Sequence, residues 1–396
     1  MLEDSTGNFS NALGINSGTD GPSFVKGGPT IRILYVCPKY FPRIGGSAVH
    51  VKNIAERLAK THKVSVFVPN PIKNLPREEE INGVKIRRFK CLAPDDSYYL
   101  SPSLSIAARE TRADILHIHG YYDLTPPLTI LLKRKDQKCV FTLHSSGSSS
   151  RLRETLHLPF NVAMRKIMRR VDRVVCVSRF ELEHFRKLLS LPKDKMEMIP
   201  NGVNPVEFRK DDCLRANPPI LLSAGRLERY KGHHKVLRAF RAFRELFPEV
   251  GMQLYIVGKG PYRSKLEKES EKLGIRDFVR FFEWLPQQEY VVLLKASSVF
   301  ILLSEYESQS IAVSEALFAG TATIVTDNSA LAEYVKDRRA LGVKNPDNSY
   351  EVAQKIKSVY SDSRLTSSGN DKMTTWDEVA EKTVAIYRDL LQSTPH

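Results

Sequence analysis

The sequence predicts an α/β protein built from two Rossmann-like, doubly wound parallel sheets that face each other across a cleft. Three observations carry this prediction. At 396 residues the chain is longer than a single hydrophobic core usually supports, so two domains are expected. Short apolar, β-branched runs recur with room for a helix between them, first over residues 31–179 and again over 219–327. Between the two series, "MEMIPNGVNPVEF" at residues 196–208 interrupts the rhythm with Pro, Asn and Gly and reads as a linker.

The elements follow in order. Residues 1–30 are polar and rich in Ser, Gly and Asn, without the basic start or apolar core of a signal peptide, so a disordered extension is expected. The first domain, 31–205, opens with the buried strand "IRILYVCP", a glycine-containing loop "KYFPRIGGSA" and a helix-period stretch "VHVKNIAERLAKT". "KVSVFVPN", "VKIRRF", "DILHIH", "CVFTLHS" and "RVVCVSR" continue its sheet. The second domain, 206–372, takes "PILLSAGR", "MQLYIVGKG", "VRFFEWLP", "SVFILLS" and "TATIVTD". The closing segment, 373–396, contains a helix with Val379, Val384, Ile386, Tyr387 and Leu390 at roughly helical spacing. Such a stripe must pack on something, and a return to the first domain is expected.

Composition narrows the class. With 42% apolar and 27% charged residues and no apolar run near the ~20 residues of a membrane span, a soluble protein is expected. The five cysteines are odd in number and scattered, with no CxxC or Cys/His spacing, which points to a reducing cytoplasmic setting. A net charge of +15 favours an anionic partner: nucleic acid, anionic lipid or a phosphorylated substrate. The surplus is uneven, with 14 Lys or Arg against 5 Asp or Glu over residues 131–190.

Ligands of doubly wound sheets bind beyond the carboxyl ends of the strands, so those ends carry the chemistry. In "GRLERYKG", residues 225–232, Arg226 and Lys231 leave a strand end as two fixed cations, suited to a diphosphate or simply solvated. "VGKGP", from Val257 through Gly258, is a glycine turn short of a dinucleotide fingerprint, and no P-loop occurs anywhere. "EYESQSIAVSEALFAG", residues 305–320, leads from a loop carrying Glu307 into a helix expected over "SQSIAVSEALFA" from Ser308 and closed by Gly320. Glu307 and Glu315 are eight residues apart, ~12 Å along a helix and too far to share a proton or a metal. The amides around Gln309, Ser310 and Ile311 form the helix N-terminus, an anion site. A phosphate over this helix start, with a carboxylate holding hydroxyl groups on either side, is the arrangement expected.

These motifs, with "GG" in the first loop, "DILHIHG" and "IPNGVNPVEF", occur in an order that resembles the retaining glycosyltransferases of family 4, of the GT-B fold, over residues 31–391. The resemblance implies a transfer of sugar from a nucleotide-diphosphate donor to an acceptor hydroxyl. It implies that Arg226 and Lys231 neutralise the donor diphosphate in place of a metal ion, so that no metal or other cofactor is expected. Glu315 matches the glutamate that binds the ribose, and Glu307 the one that contacts the donor sugar near the reacting carbon. Gly45 and Gly46 match a loop that admits backbone amides to the phosphate. His119 matches a histidine that touches the donor sugar, and Trp284 and Leu285 fall where the base lies. The first domain becomes the acceptor side and the second the donor side. Two departures stand out. Ser308 and Ser310 occupy positions usually held by glycine, and "DNSALAEYV" replaces a Gly-Gly-x-x-Glu turn. Donor identity is therefore the least transferable part.

Of the other histidines, His117 reads as a core residue of its strand, and His144 as either packing or acceptor contact. Residues 145–171 alternate Leu156, Leu158, Phe160, Val162, Met164, Ile167 and Met168 with Arg151, Arg153, Arg165, Lys166, Arg169 and Arg170. Such a segment suits peripheral contact with the inner face of an anionic membrane, or an ordinary core-facing helix with a basic outer side. A lipid-linked glycan or lipid is the acceptor this suggests. Two rival readings are a nucleotide-sugar epimerase of the same fold and a non-enzymatic binder of anionic surfaces. The first lacks its acidic acid/base set, and the second leaves the ordered cleft motifs unexplained. Nucleic acid is not expected, since no aromatic platform accompanies the charge.

Overall fold

The computed structural model describes residues 28–43, 45–72, 75–95, 98–144, 151–208, 215–362 and 373–393. Most of the N-terminal extension and the first residues of the basic segment, 145–150, lie outside them.

The first sheet collects β1 (Arg32–Val36), β2 (Lys63–Pro69), β3 (Glu78–Ile81), β4 (Val84–Phe89), β7 (Ile115–His119), β8 (Lys138–Thr142), β9 (Arg173–Cys176) and β10 (Met196–Met198). A separate hairpin pairs β5 (Leu92–Asp95) with β6 (Tyr98–Leu100). Among the described residues the sheet runs β10-β9-β8-β7-β1-β2-β4-β3. Its pairings are parallel except for β3 with β4. β1 is buried along Ile33–Val36, and β7 throughout, as strands covered on both faces must be. The crossover helices are α1 (Gly46–Leu58), α2 (Pro102–Glu110), α3 (Thr125–Leu132), α4 (Arg151–Ile167) and α5 (Arg179–Leu189).

The second sheet is formed by β11 (Ile220–Ala224), β12 (Gln253–Val257), β13 (Val279–Phe282), β14 (Val299–Leu302), β15 (Ala322–Thr326) and β16 (Leu341–Val343). Its order is β13-β12-β11-β14-β15-β16, parallel throughout. The order reverses at β11, so the loops after β11 and β14 emerge side by side. The helices here are α6 (His233–Leu246), α7 (Arg263–Lys272), α8 (Gln287–Ala296), α9 (Ile311–Phe318), α10 (Leu331–Lys336) and α11 (Ser349–Ser361).

The last helix, α12 (Trp376–Gln392), packs on α1 and the first sheet. Val379, Val384, Ile386, Tyr387 and Leu390 are all buried there. Thr375 and Glu378 form a reciprocal capping box that fixes its start. Tyr387 Oη lies 3.0 Å from Tyr35 Oη and 2.5 Å from His117 Nδ1, and His117 Nε2 meets Thr142 Oγ1 at 2.7 Å. His117 is thus a satisfied core residue.

The chain crosses between the sheets at Gly202, where an added Cβ would stand 2.4 Å from Trp376 N. Glycine is required there by the close approach of two backbones, which Val203 N to Thr374 O (3.0 Å) and Trp376 N to Val203 O (3.1 Å) hold together. Two further contacts tie the halves. Gln309 Oε1 accepts from Asn201 N at 2.6 Å, and Glu333 Oε1 accepts from Phe180 N at 2.7 Å, at the start of α5.

Several short elements depart from expectation. "MEMI" supplies the edge strand β10 rather than linker, and α1 begins at Gly46 instead of Val49. Val49 N reaches Gly45 O at 2.9 Å and so extends the helix back into the glycine loop. The basic segment is helical over Arg151–Ile167. Met164 and Met168 are fully buried while Leu158 (66%) and Val162 (54%) are exposed, so its apolar residues serve two sides.

Candidate functional site

β11 ends at Ala224, and Gly225 N still bonds to Val257 O at 3.0 Å, after which the chain turns out into Arg226–Lys231. This loop is stitched to the glycine turn that follows β12. Leu227 N donates to Lys259 O and Tyr262 N to Leu227 O, both at 2.9 Å. Gly258 makes the stitching possible, because a Cβ there would lie 1.8 Å from Gly225 O. The glycine turn at "VGKGP" therefore seats the cationic loop.

On its other side the loop meets the segment after β14, as the strand order dictates. Tyr230 O accepts from Glu305 N at 2.7 Å and from Ser304 Oγ at 3.3 Å. Arg226 donates to Tyr230 Oη at 2.7 Å and pairs with Glu228 at 2.9 Å. Lys231 Nζ lies 2.6 Å from Glu307 Oε1, with both side chains largely buried (14% and 5% exposed). Burial pulls the Lys231 amine's pKa down, but Glu307 and then Tyr230 outweigh it and the net shift is upward. Arg226 behaves alike, burial opposed by Tyr230, Glu228 and Glu307, and is held fully cationic. Glu307 is fixed by its backbone, which accepts from Ala330 N (3.2 Å) and donates to Ser329 Oγ (3.0 Å).

Helix α9 starts later than expected. Ser310 is its N-cap, the side chain accepting from Val313 N at 3.4 Å, so the first turn begins at Ile311 and not at Ser308. Gln309 precedes the helix, and its side chain is committed to Asn201 across the domain junction. Only its main chain is left for a ligand. Glu315 sits in the second turn, near the partly buried Tyr290, whose pKa is raised first by burial and then by Glu315. Glu307 lies on the loop before α9 and Glu315 inside the helix, as expected. Ser308 is half-buried in that loop. Leu285 is half-buried beside the second core, and Trp284 is 61% exposed.

In the first domain, Gly45 and Gly46 have open space where a Cβ would stand, and they begin α1. His119 ends β7 but is fully buried rather than open to solvent. Its Nδ1 lies 3.1 Å from His144 Nε2, and its ring stacks on His117 with centroids 4.3 Å apart. Its Nε2 has no hydrogen-bond partner among the described residues. His50, on the buried face of α1, places Nδ1 2.7 Å from Asn201 Oδ1. Burial, more than the neighbouring rings, holds His119 and His144 well below the ordinary histidine range and His50 at about 4. The ligand-type nitrogens of His50, His119 and His144 all lie within 4.8 Å of one another.

Sequence reasoning missed His50, Asn201, Tyr230 and Ser329. His50 alone left a signal, a polar residue one turn before Ile54 on the apolar stripe of α1.

Residues 44–207 match Glycosyltransferase Family 4 and residues 207–382 match Glycosyl transferases group 1. An uncharacterised glycosyltransferase of Methanocaldococcus jannaschii is 28% identical, covering 90% of this chain and 98% of that protein. The alpha-monoglucosyldiacylglycerol synthase of Streptococcus pneumoniae is 25% identical, over 78% of this chain and 74% of its own. The fold is shared with sucrose-phosphate synthase of Thermosynechococcus elongatus at a TM-score of 0.75 and 19% identity, covering 92% of this chain and all of that one. With both halves matched in order and the two sheets arranged as in these structures, the chain belongs to glycosyltransferase family 4 and is a glycosyltransferase of the GT-B fold.

Proposed function

We propose that the enzyme transfers a sugar from a nucleotide-diphosphate sugar with retention of anomeric configuration, holding the diphosphate by protein charges alone. The observation that carries this is the largely buried Lys231–Glu307 pair with the half-exposed Arg226 on the same loop, set where strand reversal brings the loops together in front of α9. Arg226 and Lys231 would take the diphosphate oxygens, with amides of Ile311 and Ala312 and the start of α9 adding a favourable dipole. Glu307 would turn from Lys231 to sugar hydroxyls once phosphate replaces it. Glu315 would hold the ribose, and Leu285 the edge of the base. Gly45 and Gly46 leave room for phosphate on the first-domain side.

The bond from the anomeric carbon to the phosphate oxygen breaks as the acceptor hydroxyl approaches the same face of an oxocarbenium-like sugar. The hydroxyl proton passes to the departing phosphate oxygen, so no side chain need serve as base. Stabilisation of that leaving diphosphate is the main catalytic term. His119 would support the sugar from the first domain.

A lipid or lipid-linked glycan is the proposed acceptor. Leu158 and Val162 on α4, Leu124 and Leu131 around α3, and Arg165 and Lys166 are all exposed, apolar residues and cations on two helices that contact each other. A glycolipid synthase among the relatives supports this reading. A thermal-shift panel of UDP, GDP and ADP sugars tests the donor site: one nucleotide series raises the melting temperature, and a flat response to all would refute the reading.

A further inference from the structure

His50, His119 and His144 come from α1, the end of β7 and the turn after β8, yet their ligand-type nitrogens converge to within 4.8 Å. Two nitrogens bound to one tetrahedral metal stand about 3.3 Å apart, and His119 Nδ1 and His144 Nε2 are separated by 3.1 Å. His50 is already oriented. Its Nδ1 faces the carbonyl oxygen of Asn201 at 2.7 Å, which places the proton on Nδ1 and leaves a lone pair on Nε2. Metal-bound histidines are usually fixed by an outer partner of this kind.

Ligation through Nδ1 of His119 makes its Nε2, buried without a hydrogen-bond partner among the described residues, the ring's outward nitrogen, so the convergence and the orientation of His50 carry the site. His117, the fourth ring nearby, has both nitrogens satisfied by Tyr387 and Thr142 and is not available. All three members of the trio are held neutral by burial, the form that ligates. His144 keeps partial exposure, which gives a cation a way in.

We propose that His50, His119 and His144 bind one transition-metal cation of the zinc type, and that filling this site inhibits sugar transfer. An all-imidazole set favours Zn2+, Ni2+, Co2+ or Cu2+ over Mg2+, Ca2+ and Mn2+, whose hard character calls for oxygen. The site is therefore no substitute for Arg226 and Lys231 at the diphosphate. Inhibition follows because the metal withdraws His119 from the donor sugar. That half rests on the functional reading above, and the binding half does not.

Titration of the full-length, tag-free chain with Co2+, followed by visible absorption, tests the binding. One equivalent per chain, displaced by Zn2+, is expected. His144→Asn suits the left-handed backbone at φ 47° and removes the imidazole. It and His50→Gln should each weaken Co2+ binding roughly tenfold or more while still melting cooperatively. A folded wild-type chain without saturable bands, or equal affinity in both variants, overturns the site. Where turnover has been established, Zn2+ at its measured Kd should suppress it and Mg2+ should not. Turnover indifferent to bound Zn2+ overturns the inhibitory half. Absence of turnover with every donor counts against the functional reading, and the Co2+ titration then decides the site by itself.

Discussion

Lys231 and Glu307 neutralise each other at 2.6 Å, so a donor diphosphate must displace a carboxylate to reach the ammonium. Breaking a buried pair by removing one partner strands the other charge, which costs about 3–5 kcal/mol. Lys231→Ala should accordingly lower stability by that order in urea unfolding. The double substitution Lys231→Met with Glu307→Gln should recover much of the stability while remaining deficient in nucleotide binding. A single variant as stable as wild type would show that Glu307 is not held by this contact. At this scale the sequence displayed the residues but not their meeting. Lys231 and Glu307 are 76 positions apart, and what joins them is the pairing of β11 with β14, a property of strand order. The contact between His50 and Asn201, 151 positions apart, was hidden in the same way.

Among the elements, α12 was the most legible. Its apolar period predicted the buried stripe, and the stripe lies on the first sheet. Periodicity does not show the polar bond at its centre, where Tyr387 meets Tyr35 and His117. Tyr387→Phe keeps the ring and leaves those partners unsatisfied, so a loss of about 1–3 kcal/mol in denaturant unfolding is expected. No loss would mean that His117 and Tyr35 find other partners. The start of α9 was less legible because Ser308 and Ser310 both suit an N-cap. The tie from Gln309 to Asn201 holds that residue outside the helix, and Ser310 takes the cap. The edge strands β10 and β16, three residues each, are too short for a period to declare itself.

For the whole molecule, the two-sheet organisation was readable because buried parallel strands announce themselves as apolar runs. The junction was not, since Gly202, Asn201–Gln309 and Phe180–Glu333 are contacts between distant residues. The net charge of +15 acts at this scale too. Among the described residues no helix is long and apolar enough to cross a membrane. Co-sedimentation with anionic but not neutral vesicles is expected, weakening as salt rises, and reduced by Leu158→Ser with Val162→Ser. Equal recovery on both vesicle types, or none on either, would contradict a charged docking face.

The donor site is the centre of this account, and calorimetric titration of UDP, GDP and ADP in EDTA, into wild type and Arg226→Ala, tests it most directly. One diphosphate should bind wild type without divalent metal and lose roughly tenfold or more in affinity in the variant, as expected for a hydrogen-bonded charge worth about 1.5–3 kcal/mol. Binding that requires Mg2+, or that Arg226→Ala leaves unchanged, would contradict it.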